Sequence, residues 1–106
     1  MASELELLQI KRRRGNVLKL IRQNHEEQLQ RWTDSEVLHM MQSLGAAMSP
    51  RQMMTMLQDL QTLGLIAFKQ RFCDFRERQV AEEIMLTPVG LALTTRRKDT
   101  DEVIFD

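Results

Sequence analysis

Leu7, Ile10, Val17 and Ile21 recur at close to helical spacing near the start of the chain, with Leu18 beside them and mostly polar residues between. Ser3 followed three residues later by Glu6 has the form of a capping box, so the pattern predicts one long helix running to about residue 24. Gly15 is its weak point. Asn16 would be a good N-cap if the helix broke there into an arm and a core helix, but the continuous helix is the preferred reading. The polar stretch NHEEQLQRW reads as a connection. A second helix starts at the cap Thr33, with Glu36 returning the bond and Val37, Leu38, Met41 and Leu44 as its apolar face, and Gly45 ends it. Trp32, just before that cap, is placed to staple onto Val37.

After the short turn AAM, Ser49 caps a third helix with Pro50 at its first position and Gln52 completing a capping box. Met53, Met56, Leu57, Leu60 and Leu63 form its buried stripe, and Gly64 stops it. LIAFKQRF and VAEEIMLT alternate as strands do, and the charged CDFRERQ between them closes a hairpin. Thr87 and Pro88 then open a last short helix, PVGLALTT. The predicted class is mainly α with a small β-hairpin (α+β), in the order α-α-α-β-β-α. Two helices joined by a tight turn and followed by a hairpin describe a winged helix-turn-helix. Residues 1–95 are expected to form one domain with residues 1–15 as a basic helical extension, and residues 96–106 a charged tail holding the small apolar cluster Val103-Ile104-Phe105.

Composition narrows the function more by exclusion than by assignment. The single cysteine, Cys73, rules out an internal disulfide framework and a multi-cysteine metal site. No apolar run is long enough to cross a bilayer and no signal-peptide core follows the start, so a cytoplasmic protein is expected. No nucleophile–base pair, phosphate-binding glycine loop or carboxylate dyad can be assembled, and neither enzymatic activity nor a cofactor is expected. Lys plus Arg and Asp plus Glu both total 15, which is awkward for a protein that must neutralise phosphates. The charges are segregated, however. Cations gather at Lys11, Arg12, Arg13 and Arg14 and again at Lys69, Arg71, Arg76 and Arg78, while the tail is mostly acidic.

The run SPRQMMTMLQDLQTLGLI resembles the recognition helix of ArsR-like and MarR-like winged-helix regulators, with Ser49, Leu60, Gly64, Leu65 and Ile66 at the matching positions. LTPVGLAL, with Thr87, Pro88 and Gly90, is similar to the segment that closes the wing and opens the last helix in the same families. The chain also resembles the short winged-helix proteins of Mu-like bacteriophages and prophages, which join a basic N-terminal helix to such a recognition helix. The resemblance implies a DNA-binding regulator of transcription, of phage or bacterial origin. It does not extend to metal sensing. Cys73 with the distant His25 and His39 cannot recreate an ArsR-type ligand set.

On the third helix the outward set is Arg51, Gln52, Thr55, Gln58, Asp59 and Thr62. Arg51 suits guanine, Gln52 adenine, and Thr55 a thymine methyl or a phosphate; Gln58 completes the candidate recognition surface. The alternative is an ordinary solvated face, since Arg51 and Asp59 cancel. Lys11 to Arg14 either lie along a phosphate backbone or form the solvated flank of a helix. Lys69, Arg71, Arg76 and Arg78 are candidate phosphate clamps on the wing. Phe72 and Phe75 lie among them, and at least one is expected to tuck beneath the hairpin. Arg71 and Arg76 would favour a thiolate at Cys73. Two partner classes follow. The first is duplex DNA, where a palindromic site would need a homodimer through the N-terminal helix. The second is a protein partner in a phage assembly or accessory role, for which Met40, Met48, Met54 and the two phenylalanines would be the adhesive surface.

Overall fold

A computed structural model describes residues 3–26, 32–46, 48–95 and 100–105, except for the side chains of His25 and Glu26. Most of the predicted connection after residue 26, Ala47 of the AAM turn and residues 96–99 of the tail lie outside the described residues. The elements are α1 (Glu4–Glu26), α2 (Asp34–Ser43), α3 (Pro50–Thr62), β1 (Ile66–Cys73), β2 (Arg78–Leu86) and α4 (Pro88–Thr94). This is an α+β arrangement of four helices and a two-stranded antiparallel hairpin, in the order α-α-α-β-β-α.

Local chemistry sets the boundaries. The Ser49 hydroxyl accepts from the Gln52 amide at 3.1 Å while the Gln52 side chain accepts from the Ser49 amide at 2.8 Å, a complete capping box. Thr33 caps α2, and its hydroxyl both accepts from the Glu36 amide and donates to the Glu36 carboxylate. Both helices end in the same way. Gly45 and Gly64 adopt φ of +84° and +78°, and the next residue's amide reaches back to the last turn: Ala46 to Met41, Leu65 to Leu60. Thr87 then stitches α3 to α4, because its hydroxyl donates to the Gly64 carbonyl at 2.6 Å and accepts from the Gly90 amide at 3.0 Å.

The core gathers Val17, Leu18 and Ile21 of α1, Val37 and Met41 of α2, and Met53, Met56, Leu57 and Leu60 of α3. Ile66, Ala81 and Ile84 of the hairpin complete it. Met48 and Met54 are also buried, which removes two of the three methionines expected at an adhesive surface. Helix α1 is continuous through Gly15, and its first turns run past the core, leaving Leu5 and Leu7 66% and 46% exposed.

Gly15 has a different purpose from the break considered above. The end of the chain crosses α1 at that point, so a Cβ there would lie 2.0 Å from the Ile104 carbonyl oxygen. The Ile104 amide donates to the Lys11 carbonyl, Val103 is buried, and the Phe105 ring lies 6.0 Å from the Lys19 ammonium. Residues 103–105 of the tail therefore pack against the helical core.

Two features of the hairpin were not predicted. Pairing shifts between Ala67 and Lys69, with Glu83 at a φ of 54°, so β2 carries a bulge. The free edge of β2 pairs with Trp32, whose carbonyl accepts from the Ile84 amide at 3.0 Å. Trp32 thus extends the sheet by one bridge, ahead of α2.

Candidate nucleic-acid interface

Arg51, Gln52, Thr55, Gln58, Asp59 and Thr62 are all exposed on one face of α3, as the spacing predicts. The N-terminal half of that face forms one wall of a cleft of about 400 Å³ against α1. Ile10, Met48 and Met56 supply its apolar floor, and Arg13 and Arg51 stand on opposite walls. Among the described residues neither arginine is held by an acid. Of the Lys11–Arg14 run, the structure thus brings Arg13 to the N-terminal half of the α3 face.

The other members of that run diverge. Arg14 turns inward, with 14% of its side chain exposed, and donates to the Glu102 carboxylate and carbonyl at 3.1 and 3.0 Å. Its guanidinium also lies 3.8 Å from Asp59. It ties the end of the chain to α1 and α3, so a phosphate would have to displace an internal pair. Arg12 is exposed and also has a contact within the chain, while Lys11 is half-buried beside the tail.

The four hairpin cations are likewise engaged. Lys69 lies 3.0 Å from Glu83, and Arg71 donates to Glu82 at 2.6 Å, a bond that raises the Arg71 pKa above its ordinary value. Arg76 bonds the Ser35 hydroxyl, and Arg78 donates at 2.8 Å to Asp34. Asp34 is 2% exposed, and its second oxygen accepts from the Ala81 amide at 3.2 Å, so this pair fastens the hairpin to the first turn of α2.

Register explains why these cations do not join the α3 surface. Side chains alternate across a strand, and Lys69↔Glu82, Arg71↔Val80 and Cys73↔Arg78 share one face of the hairpin. Gln70↔Ala81 and Phe72↔Gln79 share the other. The second face continues the α3 surface, since Gln58 donates to Gln70 at 3.2 Å and Gln70 to Gln79 at 3.5 Å. Three amides from three elements form a hydrogen-bonded ladder. The outward surface of α3 is therefore prolonged onto the hairpin by uncharged groups, while the cations occupy the opposite side near α2.

Some expectations need correcting. Neither Phe72 nor Phe75 tucks under the hairpin; they are 53% and 94% exposed. Leu44 and Leu63, expected to be buried, are 62% and 37% exposed at the ends of their helices. Gln52 keeps its amide N–H donors, but its carbonyl is committed to the cap, so a bidentate contact with adenine would break the capping box.

Asp34, Glu82, Glu83 and Glu102 were not singled out by the sequence pattern. The hairpin acids had a usable signal, since two basic residues on one strand face two acidic residues on the next once the register is known. Asp34 had none, because an acid in the first turn of a helix already has a local reason to be there.

Among the described residues no group of three or more His, Cys, Asp or Glu side chains could hold a metal ion, and no helix is long and apolar enough to cross a membrane. The sequence matches no protein-family model and no curated protein.

Proposed function

We propose that this chain is a winged helix-turn-helix domain that binds duplex DNA, with residues 1–95 as the domain and the end of the chain packed onto its first helix. The observation that carries the reading is the meeting of Arg13 and Arg51 beside the exposed N-terminal half of α3. In a helix-turn-helix that half of the second helix meets base edges, and phosphate contacts flank it. Arg51 and Thr55 are assigned to the bases, Gln52 contributes through its N–H donors, and Arg13 lies beside a phosphate. The Gln58–Gln70–Gln79 ladder supplies neutral donors and acceptors further along. Lys69, Arg71 and Arg78, paired internally with acids, hold the hairpin in place instead of clamping phosphates. The accompanying role is transcriptional control in the cytoplasm of a bacterium or of a phage-infected cell.

Fluorescence-anisotropy titration against mixed-sequence duplex, at low and near-physiological salt, tests this. Few phosphates are engaged in this arrangement, so the logarithm of affinity should fall with the logarithm of salt concentration with a slope on the order of −2 to −4. Arg51→Ala should cost about 1–3 kcal/mol at one base position of a selected site, and Arg13→Ala should weaken all duplexes alike. An unmeasurable affinity at low salt would remove the DNA reading.

A second reading rests on the hairpin tip. Exposed Phe72 and Phe75, together with the internal pairing of the hairpin cations, suit a protein-interaction module. It becomes the leading reading if the titration shows no binding.

A further inference from the structure

The first turns of α1 carry leucines that no other element covers, and the cleft beside them has an apolar floor between two arginines. From this we propose that the cleft receives the N-terminal arm of α1 from a second copy of this chain. The two arms would pair antiparallel about a two-fold axis near Leu8 and Gln9. This dimer uses the N-terminal helix, as expected, but in a form that covers the α3 face instead of presenting it to a palindromic site, and the inference does not depend on DNA binding.

The arm is self-complementary in charge and in hydrophobicity. Its N-terminal half carries Glu4 and Glu6, and its C-terminal half Lys11, Arg12 and Arg13. Antiparallel pairing about that axis sets the acidic half of each arm against the basic half of the other, with Leu7 opposite Ile10 and Glu6 meeting Arg13 on the same flank of the contact. Every one of these pairs is favourable, and each occurs twice because a two-fold interface is isologous. A parallel arrangement would set acid against acid and base against base. Leu7, 46% exposed and on the same side of the helix as Ile10, is the apolar side chain available to meet the floor formed by Ile10, Met48 and Met56. The incoming acids meet Arg51 as well as Arg13, the two cations on the cleft walls. Asp59, the acid at the cleft, lies 3.8 Å from Arg14, which moderates its repulsion of the incoming Glu6. The paired form occupies the face of α3 that carries Arg51, so arm pairing and duplex binding exclude each other.

Sedimentation equilibrium of the full chain over a wide concentration range tests the proposal. The weight-average mass should rise from 12.5 kDa towards twice that value. Glu4→Lys with Glu6→Lys makes the arm wholly basic, and Lys11→Glu with Arg13→Glu makes it predominantly acidic. Each double variant alone should associate about tenfold or more weakly than the natural chain, and an equimolar mixture of the two should associate at least as tightly. Glu4, Glu6 and Arg13 lie outside the buried core and Lys11 is only half-buried, so unchanged circular dichroism confirms that the variants fold. A chain that stays at 12.5 kDa throughout overturns the proposal. A dimer that neither reversal weakens, or a mixture that fails to recover, overturns it equally.

Discussion

Asp34 is a carboxylate reached by the Ala81 amide on one oxygen and the Arg78 guanidinium on the other, with almost no water. Removing one partner of such a pair strands the rest in a poorly solvated site. Asp34→Ala should therefore cost about 3 kcal/mol in urea unfolding, and Asp34→Asn less, since an amide oxygen can still accept from Ala81. Two glycines make the same kind of point through shape. A Cβ at Gly90 would lie 1.9 Å from the Leu65 carbonyl oxygen, between elements that are stitched together, and neither side can retreat. At Gly15 the obstructing atom belongs to the end of the chain, which can lift away. Gly15→Ala should thus keep global stability within about 1 kcal/mol, because alanine favours the helix by a similar amount. Hydrogen exchange should nonetheless speed up at the Ile104 amide. Gly90→Ala should instead lower the unfolding midpoint markedly.

Among the elements, legibility followed how local the determining chemistry was. Helix α3 was readable because its cap, its proline, its apolar stripe and its terminal glycine all lie within sixteen consecutive residues, Ser49 to Gly64. The strands and their pairing as a hairpin were readable, but their register was not. The bulge at Glu83 depends on which residue faces which, and nothing local announces it. The Trp32 bridge was hidden for the same reason, since it joins residues 52 positions apart. Within α1 the apolar periodicity was correctly seen, yet periodicity alone does not tell where the covering core stops. The capping box of α3 matters to the candidate site as well as to stability. Ser49→Ala should cost about 1 kcal/mol, and it should loosen the first turn, which carries Arg51. Thermal unfolding reads the first effect and amide exchange at Gln52 the second.

At the scale of the whole molecule, a formal charge of zero conceals an orderly internal arrangement. The basic clusters visible in the sequence are mostly consumed within the fold, by Glu82, Glu83, Asp34 and Glu102. Sequence could locate those clusters but not which acids meet them, since Glu82 and Glu83 depend on the hairpin register and Asp34 and Glu102 come from distant parts of the chain. The exposed face of α3 was predicted residue by residue, while its continuation through Gln70 and Gln79 was not. A further consequence lies in Trp32, the single tryptophan of the chain. Its carbonyl accepts the Ile84 amide, its side chain packs against the core, and Thr33 beside it caps α2. That makes the indole a built-in optical probe at the junction of hairpin and helix. Its emission should report the docking of the hairpin in any folding or ligand titration, with no label attached to the protein.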